Sequence, residues 1–439
     1  MKFRILAAVA VAAMTSLAAV AQKPAWTLDS CIAYAVDHNL NVRSGMIRQA
    51  GGELDIIEAK DRFLPTVSAG AGQNWDFGRG LTSENTYANR NTSMSSFNGN
   101  LSLPIFQGLS AIRQLKYARE NLRQLVEETE AAKDDVTLNV IAQYLQVLYS
   151  KELHDVAVEQ VRLSKVELER QEVLLEQGKI PELDVVQSRA QVAKDELTVV
   201  TSQNDWQLAL VDLARLLELD DIEGFDIAPI AEGDERGIFS PDEVYSNAMT
   251  SNHSILAARQ GIVVADKAID VARSGYLPRL NFSAGLGSSY YKVSGLDNAS
   301  FSRQMRDNFS KSLGFSLSVP IFDAFSTRNQ IRRAKVQRVT AELELEQRRS
   351  ALYKEIRQAY YQAVAAERKF SASTVATEAT QAALDAVTEK FNYGKANATE
   401  FEQAKSEYVK SRAELVQAKY EMILRNRILA FYNCRQGHI

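Results

Sequence analysis

Two stretches of the chain alternate strictly between apolar and small polar residues. Phe97, Gly99, Leu101, Leu103 and Ile105 interleave with Asn98, Asn100 and Ser102. Leu313, Phe315, Leu317, Val319 and Ile321 interleave with Ser312, Gly314, Ser316 and Ser318. A period of two predicts strands with one apolar and one polar face. Partner runs place Val67, Ala69 and Ala71, then Leu280, Phe282, Ala284 and Leu286, on one face each. The predicted strands cover about 66–78 and 97–106, then about 279–291 and 312–322. Each is long enough for the roughly 9–11 residues that a tilted transmembrane strand needs. The joining segments Gly78–Ser96 and Lys292–Lys311 are polar and read as surface loops.

A different period follows each strand pair. Residues 109–177 and 324–393 contain neither Pro nor Gly, and each predicts one long helix. At 1.5 Å per residue such a helix reaches roughly 105 Å. Its apolar stripe is narrow: Leu115, Ala118, Leu122, Leu125, Thr129, Ala132 and Val136 recur at steps of three and four, as in a coiled-coil seam. Gly178 and Gly394 then stand where a left-handed helix cap belongs. Return helices are expected over 182–217 and 398–432, and Leu28–Arg62 and Pro241–Ser274 read as helices preceding the two strand pairs.

The order helix, two strands, long helix, return helix therefore occurs twice. Pro65, Pro104 and Gly178 recur as Pro278, Pro320 and Gly394, at offsets of 213, 216 and 216 residues. Ala35 and Asn39 similarly align with Ala248 and Asn252. An internal repeat of this length is a whole architectural unit rather than a solenoid module. The organisation is a signal peptide over 1–21, a first repeat over 22–217, an acidic linker over 218–239 and a second repeat over 240–439. The signal assignment rests on Lys2 and Arg4 before an apolar run that ends at Ala19-Val20-Ala21.

Charge narrows the function. The formal charge is −4, and −6 without Lys2 and Arg4, which argues against nucleic acid. Cys31 and Cys434 are the only cysteines, and whether they pair is not readable from the sequence. After the signal no apolar run is long enough for a spanning helix. Four strands cannot close a barrel by themselves, and open edges are untenable in lipid. Either several chains pool their strands in a membrane, or the protein is a soluble periplasmic coiled-coil scaffold whose strands form a sandwich.

The duplicated element order, the Leu-Pro entry to each first strand, the Pro-Ile-Phe exit from each second strand and the paired Gly-Lys turns together resemble the TolC-type outer-membrane efflux proteins, over essentially the whole mature chain. The resemblance implies an α+β membrane protein. Three chains of four strands would form a trimeric twelve-stranded β-barrel, continued by an α-helical coiled-coil barrel. It implies a passive trans-periplasmic exit duct of a tripartite efflux or type I secretion system, with a periplasmic gate at the helical tips. The implied partners are a periplasmic adaptor (membrane fusion) protein and an inner-membrane pump, either a resistance-nodulation-division transporter or an ABC exporter.

No catalytic constellation emerges. His38, His154, His253 and His438 lie in unrelated contexts, no metal-ligand spacing occurs, and no cofactor is expected. Asp184 and Glu400 each follow a turn glycine by six residues, and the resemblance assigns these positions to the closed mouth. A first-turn acid also complements the helix dipole, and Asn397 with Glu400 reads as a capping arrangement. Gln403 occupies the family's second acidic gate position, and Ala396 stands where a basic partner is usual. The resemblance further implies that the tips, with Gly178, Lys179, Gly394 and Lys395, meet the adaptor. Trp75, Phe77, Phe97, Tyr290 and Tyr291 are candidates for an interfacial aromatic belt.

Overall fold

The structure, a computed structural model, describes residues 25–81, 85–230 and 239–433. The expected signal peptide, Cys434 and His438 lie outside the described residues, as do 231–238 of the linker. Nine α-helices are described. They are α1 (Leu28–His38), α2 (Leu40–Asp61), α3 (Ser110–Glu176), α4 (Glu182–Leu216), α5 (Pro241–Ser251), α6 (His253–Arg273), α7 (Phe301–Asp307), α8 (Ser326–Asn392) and α9 (Ala398–Asn433). The strands are β1 (Thr66–Asp76), β2 (Arg79–Leu81), β3 (Tyr87–Asn89), β4 (Thr92–Gln107), β5 (Arg279–Val293) and β6 (Ser310–Ser318). The chain forms two compact units, and each draws on both halves of the sequence. Among the described residues, one contains 25–44, 129–230, 239–253 and 349–433, the other 45–81, 85–128 and 254–348.

The helix expected over Leu28–Arg62 is two helices, and so is the one expected over Pro241–Ser274. Asn39 and Asn252, the aligned pair, break them. Both are extended (ψ 133° and 119°), and each backbone N–H still bonds the preceding helix, to Ala35 O and Ala248 O, both at 2.8 Å. Asn39 closes α1 and opens α2, because its Oδ1 accepts from the Asn41 N–H at 2.9 Å. An Asn side chain competes well for a local backbone donor, and this replaces a helical turn with a cap.

The core of the first unit gathers on the middle of α3. Val136, Val140, Tyr144 and Leu148 pack with Leu28, Cys31 and Ala35 of α1, Leu213 of α4, and Ile227. The Tyr144 hydroxyl lies 2.6 Å from Ala228 O, to which it donates, and 3.0 Å from Trp26 O. It thus pins the start of the described chain and the linker to one helix. Trp26 and Ile227 form an isolated parallel bridge there. Burial pushes the Cys31 thiol up to about 12, so it behaves as an inert apolar group.

The second unit holds one antiparallel sheet in the order β1-β4-β5-β6, with the small hairpin β2-β3 separate from it. The central pair β4-β5 joins the two repeats. One face carries the rows Val67–Leu101–Ala284–Leu313 and Leu103–Phe282–Phe315. The other carries Ser68, Gly70, Asn98, Asn100, Ser283, Gly285 and Ser312. β4 starts earlier than expected, at Thr92, and β6 ends at Ser318, so the second Pro-Ile-Phe lies beyond its strand. The first Pro104 lies inside β4. It donates no ladder bond, and the register shifts between Pro104 and Phe106. That extra residue brings Phe106, rather than Ile105, opposite Leu280 on the apolar face.

The segments expected as plain loops carry structure. The first holds β2-β3 and the second holds α7. At the entry to each long helix, two successive residues adopt left-handed backbone: Gly108-Leu109 (φ 61° and 62°) and Ala324-Phe325 (φ 51° and 64°). These pairs are repeat mates, again 216 residues apart.

Candidate functional site

Two features are candidates for function: a sheet with two unlike faces, and the tips of two helical hairpins. The polar face of the sheet is lined by Gly, Ser and Asn. Its crowding is local, since a Cβ on Gly285 would stand 2.6 Å from Ser312 Oγ and one on Gly70 2.6 Å from Asn98 Oδ1. The apolar face is bare. Leu313, Phe315 and Leu317 are 78 %, 72 % and 66 % exposed. An uncovered patch of that kind marks contact with lipid or protein. β1 and β6 each leave one edge unpaired in the sheet. Among the described residues no helix is long and apolar enough to cross a membrane.

The aromatic candidates separate by face. Phe97 and Tyr290 share the apolar side, where both contact Phe301. Tyr291 points the opposite way, with the Arg90 guanidinium 6.0 Å from its ring. Trp75 and Phe77 are exposed, at 60 % and 78 %.

Both hairpin tips lie in the first unit. α3 and α8 end in the same double-bonded cap. Gly178 N–H donates to Leu175 O (2.8 Å) and Lys179 N–H to Leu174 O (2.9 Å); Gly394 donates to Phe391 O (3.0 Å) and Lys395 to Lys390 O (2.8 Å). The glycines take φ of +69° and +72°, the left-handed geometry this cap requires. Lys179 and Lys395 are exposed. Glu400 is exposed and engaged with Asn397. Its N–H donates to Asn397 Oδ1 at 2.8 Å, and its Oε1 accepts from Asn397 Nδ2 at 3.3 Å. Asp184 sits half-buried in the first turn of α4, where Pro181 provides no side-chain cap. Gln403 is exposed one turn into α9.

Sequence reasoning missed what lies just behind these tips. Gln160, Ser164, Glu167 and Gln171 occupy the seam of α3 at steps of four, three and four, and all are buried. Polar residues at seam spacing were the available signal. Ser164 donates to Asp195 Oδ2, and Gln191 donates to Asp195 Oδ1 at 2.9 Å. Lys405 of α9, 1 % exposed, donates to Ser164 Oγ at 3.0 Å and to Glu402 at 2.8 Å. Arg170 of α3 donates to Phe391 O (3.1 Å) and Asn392 Oδ1 (2.8 Å) at the end of α8, with its guanidinium 4.5 Å from the Phe391 ring. Phe391 in turn stacks on Phe401 at 5.1 Å. The two hairpins are thus joined by charged side chains, Lys405 buried and Arg170 half-buried. Burial, opposed by Gln171 and Arg170, pushes the Glu167 carboxyl above its usual range. Repeat mates of Ser164 and Asp195 are Thr380 and Ser411, whose hydroxyls meet at 2.5 Å. The same contact is charged in one copy and neutral in the other.

Among the described residues no cluster of three His, Cys, Asp or Glu side chains could hold a metal. His38 stacks on Tyr34 at 3.9 Å, and His154 lies against Trp206 at 5.8 Å.

A duplicated chain whose sheet bares an apolar face, and whose helices pair as long hairpins, belongs to the class of outer-membrane channel proteins. The family model described as outer membrane efflux protein matches residues 32–218 and 244–431, one match per repeat, and the chain belongs to that family. It is similar to the protein CyaE of Bordetella pertussis, 24 % identical over 404 residues that cover 90 % of this chain and 81 % of that protein. It is also similar to the outer membrane protein TolC of Escherichia coli K12, 21 % identical over 383 residues, 84 % of this chain and 74 % of that one. The fold matches the crystal structure of the outer membrane protein VceC of Vibrio cholerae with a TM-score of 0.75, at 15 % identity over 92 % of this chain and 96 % of that one. The protein is an outer-membrane efflux or secretion channel with a long periplasmic part, not an enzyme. That placement sets aside the soluble scaffold.

Proposed function

We propose that three copies pair β1 of one chain with β6 of the next to close a twelve-stranded barrel. The observation that supports this is the bare apolar face on a sheet with two open edges. Within the hydrocarbon region each unpaired backbone group costs several kcal/mol, so four strands must find partners before they can span. The Gly, Ser and Asn face would then line a polar lumen, and the helices of the three chains would extend it through the periplasm as a passive duct.

The hairpin tips form the gate in this reading. Asp184 and Glu400 from three chains would bring several carboxylates towards one axis, where mutual repulsion and cation affinity bias opening. Gln403, in the position of a second acid, makes this ring less acidic, and no basic partner stands at Ala396. The exposed tips, with Gly178, Lys179, Gly394 and Lys395, would receive the periplasmic adaptor, which couples the duct to an inner-membrane pump. Native mass measurement tests the trimer. Planar-bilayer conductance of Asp184→Asn with Glu400→Gln tests the gate: conductance should rise and block by added cations should weaken. Unchanged conductance with unchanged block would remove these two residues from the gate.

A further inference from the structure

The turn end of the sheet carries a patch that conduction does not use. Beyond Gly287, β5 has no β6 partner, because β6 begins at Ser310. Side chains from the following segment complete that edge. Asn308 Nδ2 donates to Ser289 O (2.6 Å), Gln304 brackets Tyr291 by accepting from its N–H (2.9 Å) and donating to its O (3.0 Å), and Asn298 does the same at Val293 (2.9 Å each). Ser288 Oγ also donates to Met305 O at 2.7 Å. The short helix α7 is therefore fixed to the strand, which is one way a sheet edge is protected.

The face on which α7 lies can be read from its contacts. Phe301 packs edge-on against Phe97 (6.4 Å) and Tyr290 (5.3 Å), both on the apolar side of the sheet. The same side continues down β6 through Lys311, which pairs with Leu286, to Leu313 and Phe315. The Lys311 ammonium lies 5.5 Å from the centroid of Phe309. Arg303 and Arg306, three residues apart on α7, are exposed, as are Phe301 and Phe309. Segment 292–311 holds Lys292, Arg303, Arg306 and Lys311 against Asp297 and Asp307. Asp307 lies 3.5 Å from Arg303, but both are exposed, and such a pair holds its charges weakly. Aromatic rings and cations thus sit together at the margin of the bare apolar band. A lysine there keeps its stem on apolar surface and its ammonium in the headgroup layer.

We propose that this margin binds the phosphorylated headgroup of an outer-leaflet glycolipid. Arg303, Arg306 and Lys311 supply the anion contacts, and Phe301 and Phe309 sit at the acyl-chain boundary. The proposal rests on the barrel reading above, in which the apolar face meets lipid. The strands run on into the helices at their other ends, so with the helices periplasmic the α7 end faces outward. Charge complementarity chooses the occupant, because juxtamembrane cations attract anionic headgroups whereas a neutral lipid would gain nothing from them.

Native mass spectrometry of the purified full-length protein, titrated with diphosphoryl lipid A and with its dephosphorylated form, tests this. The wild type should retain the phosphorylated lipid about tenfold better, and the difference should collapse in Arg303→Gln/Arg306→Gln/Lys311→Gln. Rising ionic strength should release the phosphorylated lipid from the wild type, a readout independent of how the variant folds. Equal retention of both lipids by the wild type would overturn the proposal. So would full competition by inorganic phosphate at equal concentration, which would reveal a simple anion site. Membrane fractionation separates the two failures. Release by salt without detergent would sink the barrel reading itself, whereas an integral protein that retains both lipids equally loses only the headgroup assignment.

Discussion

Asp134 on α3, half-buried, shows how one partly desolvated charge sets a pH response. Desolvation, opposed by the nearby His253, raises its carboxyl to about 6, with Asp135 and Glu130 adding to the rise and Lys133 opposing it. A carboxyl raised in the folded state contributes stability below its unfolded pKa, near 3.8, and loses that contribution as pH climbs through about 6. Asp134→Asn should therefore raise the melting temperature at pH 7 to 8, and the gain should vanish near pH 4. Thermal melts of both proteins across that range check the sign. Tyr144→Phe acts oppositely and without pH dependence below pH 9. It strips the donor from Ala228 O in a buried corner, at a cost of about 1 kcal/mol. The loss should appear as a lower melting temperature, with faster hydrogen exchange around Trp26 and Ile227.

At the level of elements, the repeat, the strands and the long helices were legible because each rests on a periodicity running over many residues. The exceptions turn on single side chains. Nothing in the 3.6-residue pattern of residues 28–62 announces a break, yet Asn39 ends one helix and starts another by capturing a local N–H. Its mate Asn252 marks the second break, so aligning the copies located the breaks without revealing them. Pro104 was visible, but its effect on register depends on whether the strand stops before it or bulges around it. Asp184 and Glu400, proposed for the gate, were singled out by their spacing to the turn glycines together with the family resemblance. Lys405, Arg170 and Asp195 were not found, because their contacts are made between helices, and Lys405 and Arg170 reach partners remote in sequence. The faces of the sheet yield a sharp contrast. Phe315→Arg, on the apolar side, should cost roughly 2–4 kcal/mol if that row meets the bilayer midplane, while Ser316→Arg, its neighbour on the polar side, should insert normally. The yield of folded protein in outer membranes measures both. Equal yields would contradict the assigned faces.

For the whole molecule, the two repeats and the two compact units divide the chain differently. Each unit takes pieces of both copies: the sheet is completed only by pairing β4 of one copy with β5 of the other, and the Tyr144 cluster of the first copy also uses Ile227 of the linker, beyond residue 217. A chain cut after the first repeat should therefore not give a folded half-molecule. Limited proteolysis of residues 22–217 expressed alone should show rapid degradation, where the full chain resists.

The left-handed pairs that open the long helices allow one more deduction. One copy meets this demanding backbone with glycine at the first position, Gly108; the other meets it with Ala324. A non-glycine residue there carries about 1–2 kcal/mol of steric cost. Each half thus serves as a natural variant of the other, read in the same molecule under the same solvent and membrane. The persistence of the bend in Ala324-Phe325 says that neighbouring structure, not local preference, dictates it. Ala324→Gly should then leave the geometry intact and raise stability, making the protein a ready internal comparison for how much strain a strand-to-helix junction can hold.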